Sequence, residues 1–216
     1  SVIAQGFHPY LAEWSPYHGA AYAVIEATAR LVAAGGEWSK ARFSYQEYFE
    51  RMDNKAERFG QPVSALLGSI EAQIQLGLPS IGGKDSMSGT FEELTVPPTL
   101  VAFGVTTADS RKVLSPEFKA VGEWIYYIPG PALSQEIDFD TVKANFTQFA
   151  SLQKEHKISA ASAVKYGGVL ESLALMSLGN RIGAKVNLTD LSTCLTGQLG
   201  GFVFTSKEDI PNVAKI

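Results

Sequence analysis

Apolar and polar positions change period repeatedly along the chain. From Pro16 to Ala34 the apolar residues Ala21, Val24, Ile25, Leu31 and Val32 fall near helical spacing. Pro16 suits a first helical turn, and Gly35-Gly36 supplies the stop. Ala41 to Tyr45 reads as a strand, and the aromatic, charged run Gln46 to Arg58 as helical in parts. Val63 to Leu76 predicts a second strong helix, with Leu66, Leu67, Ile70 and Ile74 on one face and Gly77 ending it. A short strand, Pro79 to Ile81, then leads into a polar loop, Gly-Gly-Lys-Asp-Ser-Met-Ser-Gly-Thr. Thr99 to Thr107 is dense in β-formers and reads as a buried strand.

After a polar, proline-bearing stretch, Ser110 to Phe118, the alternation resumes. Trp124 to Ile128 predicts a strand, turned at Gly130-Pro131. Asp138 to His156 predicts a helix with Phe139, Val142, Phe146 and Phe149 on one face. Strands are expected at Ile158 to Val164, Lys185 to Leu188 and Gly201 to Phe204, with a helix from Gly168 to Ser177. Interleaved strands and helices argue for an α/β or α+β chain in two lobes.

Composition narrows the function classes. At 216 residues the chain can hold one large or two small domains. A net charge of −4 gives no basic surface for nucleic acid, although local loops can still hold a small anion. The single cysteine, Cys194, excludes an intramolecular disulfide and a cysteine-rich metal site, and fits a reducing, cytoplasmic setting. No apolar run reaches the roughly 20 residues needed to span a bilayer, and no secretory leader is visible. The chain begins at Ser1 rather than Met, as either a trimmed start or a cut from something longer would.

The chemistry concentrates in Leu78-Pro-Ser-Ile-Gly-Gly-Lys-Asp-Ser-Met-Ser88. Gly82 and Gly83 let backbone N–H groups approach a ligand; Lys84 could neutralise phosphate; Asp85 could hold Mg²⁺; Ser86 or Ser88 could donate hydrogen bonds. This is no Walker A loop, because Leu78 and Asp85 stand where that motif needs glycine and Ser or Thr. On the residues alone, phosphate binding competes with a solvated polar hairpin.

The order of segments adds a resemblance. LGLPSIGGKDSMSGTFEE followed by PPTLVAFGVTTADSRKVLSP, the upstream WSPYHGAAYAVIEATARLVAAGG and the downstream SAVKYGGVLESLALM together resemble the second half of long-chain phosphoribosylformylglycinamidine synthases. The resemblance implies a ferredoxin-like lobe over residues 1–112, lacking its first strands, and a truncated α/β lobe of the aminoimidazole ribonucleotide synthetase type over 113–216. It implies a parent C–N ligase of purine biosynthesis. That enzyme uses ATP and glutamine-derived ammonia to convert formylglycinamide ribonucleotide to formylglycinamidine ribonucleotide. ATP or ADP with Mg²⁺ would bind in a cleft, and the chain's partners would be the missing half of the parent, a nucleotide and, through exposed sheet edges, a second copy of itself. No nucleic acid or membrane is expected as a partner.

Carried over by position, Gly82, Gly83, Lys84, Asp85, Ser86 and Ser88 are expected to bind nucleotide or phosphate, and Glu26 to ligate a metal. Two departures weaken that metal site: Arg30 stands where the pattern has Asn, and Tyr166 replaces the acid before Gly167-Gly168. They favour an inactive piece or a non-catalytic scaffold lobe. Selenophosphate synthetase and thiamine-phosphate kinase relatives are the competing enzymes, expected to carry a glycine-rich or Asp-rich N-terminal segment that this chain does not show. His156 is expected to cap a helix end, His8 and His18 to pack among aromatics, and Cys194 to be a small buried residue; the glutaminase cysteine of the resemblance belongs to a domain outside this chain.

Overall fold

A computed structural model describes residues 1–188 and 190–216. The chain is α+β and divides into two compact units. The first comprises chiefly residues 3–28 and 39–106, the second 29–38 and 107–216. Among the described residues, no helix is long and apolar enough to cross a membrane.

In the first unit the order is β1 (Val2–Gly6), α1 (Pro9–Trp14), α2 (Pro16–Ala33), β2 (Arg42–Tyr48), α3 (Ala56–Leu76), β3 (Ser80–Ser86), a two-stranded hairpin β4 (Thr90–Phe91) and β5 (Leu94–Thr95), and β6 (Thr99–Thr106). The main sheet runs β1-β6-β2-β3. β2 pairs antiparallel with β6 and parallel with β3, so α3 is the crossover that a parallel pair requires. Phe43, Tyr45 and Glu47 alternate with more exposed neighbours and form the buried face of β2. Leu100 and Ala102 do the same on β6. A bulge interrupts the β2–β3 register: Phe43 pairs with Ser80 and Ser44 with Gly82, leaving Ile81 as the extra residue.

α2 is apolar almost all round, and the stretch from Gly19 to Ala29 is buried. Small residues let its neighbours come close. A Cβ on Gly6 would lie 2.0 Å from the Ala23 carbonyl oxygen, and one on Gly68 of α3 would lie 1.9 Å from that of Tyr17. The helix-to-helix seam of α3 is therefore made by Pro62, Ala65, Gly68, Ser69, Ala72 and Leu76. Leu66, Leu67, Ile70 and Ile74 do share one face, as their spacing predicts, but it is the solvent-facing one: Leu67 is 55% and Ile74 70% exposed. Gly77 closes α3 in the left-handed region, with its N–H bonded back to Gln73 and Ile74.

The second unit orders β7 (Trp124–Ile128), α4 (Phe139–Glu155), β8 (Ile158–Ala163), α5 (Gly168–Asn180), α6 (Leu191–Leu195), β9 (Phe202–Ser206) and β10 (Ala214–Lys215). Its antiparallel sheet runs β10-β7-β9-β8. β9 is buried along its whole length because both faces are covered. On one side Phe146 and Phe149 of α4 meet Phe202 and Phe204, with the Phe149 and Phe202 rings stacked at 4.5 Å. On the other, Val169, Leu173 and Met176 of α5 pack with Ile125, Val203 and Cys194.

Several expectations need correction. The polar loop after Ile81 is strand as far as Ser86, because the backbone continues to pair with β2. Helix enters the Gln46–Arg58 run only at Ala56; before that the period-two pattern of Arg42 to Tyr48 extends β2. Lys185 to Leu188 forms no strand, and the chain there is irregular. The first 14 residues hold β1 and α1, which the apolar pattern alone does not predict.

Candidate functional site

The Gly82–Ser88 run lies on the edge strand of the first unit's sheet, where β3 is exposed from Ser80 to Asp85. Gly83 is required by proximity: a Cβ there would sit 2.8 Å from the Tyr45 carbonyl oxygen. The turn after the strand is pinned by Phe49, whose N–H donates to Ser86 O at 2.8 Å and whose carbonyl accepts from Gly89 N–H at 2.9 Å.

A strand sends successive side chains to opposite faces, and that splits the motif. Parallel pairing sets Gly83 beside Tyr45, Lys84 beside Gln46, Asp85 beside Glu47 and Ser86 beside Tyr48. Lys84 and Ser86 thus share one face of the sheet, and the Lys84 ammonium lies over the Tyr48 ring, 4.9 Å from its centroid. The Ser86 and Ser88 hydroxyls are 3.4 Å apart. Asp85 belongs to the opposite face, next to Glu47. The sequence reading gathered lysine, aspartate and serines around one ligand; the pleat keeps Lys84, Ser86 and Ser88 together and separates Asp85 from them.

Glu47 and Tyr48 escaped that reading. The signal was the alternation Phe43, Tyr45, Glu47, which puts a carboxylate in series with two core aromatics. Glu47 is only 6% exposed. Burial, followed by the neighbouring negative charge of Asp85, pushes its carboxyl up to about 7. The Tyr45 hydroxyl is buried and has no hydrogen-bond partner among the described residues. Its ionisation is driven upward by burial and by Glu47.

Glu26 stands elsewhere in this unit. It is 5% exposed, and its carboxylate accepts the Phe7 N–H at 3.1 Å, tying the end of β1 to α2. Among the described residues, no group of three or more His, Cys, Asp or Glu stands where it could hold a metal ion. Mg²⁺ is commonly held by one or two carboxylates together with waters and phosphate oxygens, so Glu26, one oxygen of which is engaged with backbone, would be one ligand of such a centre rather than the whole of it.

The two departures from the family pattern both fall in the second unit. Tyr166-Gly167-Gly168 leads from β8 into α5, where Glu171 accepts the Gly167 N–H at 2.9 Å and the Lys165 ammonium at 2.5 Å. Burial alone would raise the Glu171 carboxyl. The hydrogen bonds from Lys165 and Gly167, with the charges of Lys165 and Arg30, outweigh burial and hold it below its ordinary value. Arg30 and Lys165 are thus two fixed cations acting on one carboxylate beside the motif. The histidines are structural: His8 caps α1 by accepting from Leu11 N–H, His18 meets Ser15 and the Trp14 and Tyr17 rings, and His156 ends α4 with Nδ1 3.1 Å from Glu208.

Comparison with known proteins agrees with the resemblance. No family model matches the chain. It is 26% identical over 214 residues to the phosphoribosylformylglycinamidine synthase subunit PurL of Picrophilus torridus, covering 92% of this chain and 28% of that protein. This chain is similar to PurL. The PurL of Lacticaseibacillus paracasei is 27% identical over 206 residues, covering 86% of this chain and 27% of the relative. The chain therefore spans little more than a quarter of the length of the PurL proteins it matches. Among solved structures, Thermotoga maritima PurL complexed with AMPPCP superposes with a TM-score of 0.73 at 15% identity, over 94% of this chain and 36% of that one. Thiamine monophosphate kinase from Aquifex aeolicus superposes with a TM-score of 0.57 at 11% identity, over 98% of this chain and 80% of that one. The fold is the one these PurL and kinase chains share.

Proposed function

We propose that the chain is a portion of a phosphoribosylformylglycinamidine synthase. Residues 1–112 would be the remainder of its ferredoxin-like lobe and 113–216 the start of the next. The parent reaction is the cytoplasmic, ATP-dependent conversion of formylglycinamide ribonucleotide to the formylglycinamidine, with ammonia drawn from glutamine. The observation that carries a ligand-binding role is the cation and hydroxyl group set Lys84, Ser86 and Ser88, presented on one exposed face of an edge strand. A phosphate there would accept hydrogen bonds from the serine hydroxyls and be neutralised by the ammonium. Asp85 faces away and contributes through Glu47. Mg²⁺, which the resemblance implies for the parent, would meet Glu26 together with water and phosphate oxygens.

Calorimetric titration with ATP and ADP, each with and without Mg²⁺, tests this reading. Lys84→Ala is expected to abolish measurable binding and Asp85→Ala to weaken it far less. Equal loss in both variants, or none in either, would remove the phosphate role from this face. By itself the chain is expected to form no ATP- and ammonia-dependent product, since the rest of the parent enzyme supplies the catalytic half; detectable product would contradict this.

A second reading, a scaffold lobe with a degenerate nucleotide site, is favoured by the second unit. There Arg30 and Lys165 surround Glu171 with fixed positive charge beside Tyr166, where a metal-binding version would need acids. A folded chain that binds neither nucleotide would select this reading.

A further inference from the structure

The outward face of α3 has no explanation in the first unit's own packing. Phe59, Val63, Leu66, Leu67, Ile70 and Ile74 are between 40% and 70% exposed and form one continuous stripe, while the helix packs inward through small residues. Their spacing is symmetric about the midpoint between Leu66 and Leu67. Phe59 and Ile74 are equidistant from that point, as are Val63 and Ile70. A stripe of this kind is self-complementary when two copies meet antiparallel across a two-fold axis, since residue i then meets j and j meets i.

We propose that this face of α3 is a dimer interface, occupied by the same helix of a second copy of the chain. Phe59 packs on the partner's Ile74, Val63 on the partner's Ile70, and Leu66 on the partner's Leu67. At roughly 100 Å² per exposed side chain the stripe offers about 600 Å², the upper end of the largest apolar patch on an ordinary monomer. Two copies bury about 1,200 Å², the lower limit of a stable, specific interface.

Charge does not oppose the pairing. Arg58 is turned away, held by Glu50 and Asp53. Glu71, hydrogen-bonded to Gln75, is the acid flanking the stripe. In the antiparallel arrangement the two copies of Glu71 lie roughly 13 Å apart along the axis, beyond a Debye length of about 8 Å in physiological salt. The open edge at β3 is a poorer alternative, because it carries Lys84, Asp85 and two glycines, features that blunt strand-to-strand pairing.

Sedimentation equilibrium of the 216-residue chain should give twice the monomer mass of 23.2 kDa at micromolar concentration. The double variant Leu66→Gln/Ile70→Gln should weaken dimerisation by at least roughly 100-fold. Its circular dichroism and melting when dilute should be unchanged, because both side chains are exposed in the monomer. Orientation is read by oxidative cross-linking of a mixture of Phe59→Cys and Ile74→Cys chains. The two variants should join to each other and not to themselves, with buried Cys194 as the silent background. A monomer at the highest attainable concentration, a dimer indifferent to the double variant, or Phe59→Cys chains joined to one another would each overturn the proposal.

Discussion

Glu47→Gln isolates the cost of holding a carboxylate between the sheet and its helices. The Glu47 carboxyl is raised from an ordinary 4.5 to about 7, by burial first and by Asp85 second. Each tenfold change in proton affinity is about 1.4 kcal/mol, so the ionised form costs the fold about 3 kcal/mol, trimmed to about 2 by water at the exposed β3 edge. The sign follows from which state keeps the proton. Below pH 4.5 the group is neutral in both folded and unfolded chains, and the cost is absent. Between 4.5 and 7 the unfolded chain ionises first, so stability falls as pH rises; above 7 the full cost is present. Glutamine has nearly the same shape and no charge. Thermal melts should therefore show Glu47→Gln stabilised by about 4–8 °C at pH 8.5, the shift that about 2 kcal/mol produces in a chain of this size, with little or no gain at pH 4. A shift of equal size at both pH values, or a loss at pH 8.5, would refute the argument.

Other perturbations test other parts of the structure. Tyr45→Phe removes a buried hydroxyl with no partner and should leave stability unchanged or raise it by about 1 kcal/mol in denaturant titration. Gly68→Ala drives a methyl into the Tyr17 carbonyl and should cost about 3 kcal/mol, read as a fall in the chemical-denaturation midpoint. Phe149→Ala opens the aromatic stack on Phe202 and should cost about 3–5 kcal/mol in the same assay. Glu171→Gln loses the charge that latches Lys165 to the start of α5. The unsubstituted chain should be the more stable at pH 7, and the difference should vanish as pH falls through the lowered carboxyl range, since a depressed acid stabilises only while ionised.

Much of the fold was legible because period and burial coincide. In α4 the residues Phe139, Val142, Phe146 and Phe149 are both the predicted face and the buried one, and the glycines after α2 and α3 stop their helices as expected. The same logic misled on α3, where a clean apolar period marks the surface and the packed seam is made of Ala, Gly and Ser. Periodicity identifies a face but not which side of the helix the neighbour occupies. β3 was misread for a different reason: glycines and charges signal a loop locally, while pairing with β2, distant in sequence, makes the segment a strand. The motif letters are read directly from the sequence, and the face each one takes is not. Glu47 is not singled out there, because its proximity to Asp85 arises only from the parallel register, and nothing along the chain encodes that directly.

The bulge at Ile81 decides more than local geometry. Without the bulge, the same sequence in continuous pairing would set Lys84 beside Glu47 and Asp85 beside Tyr48, exchanging the charges shown on the two sides of the sheet. Loss of Ile81 itself would leave the downstream order intact, since the remaining residues would pair as they already do. The bulge, rather than chain length, therefore acts as a parity bit. Two chains with identical Gly-Gly-Lys-Asp-Ser runs but opposite parity would carry opposite chemistry on corresponding faces, and a comparison of motif letters would score them as the same.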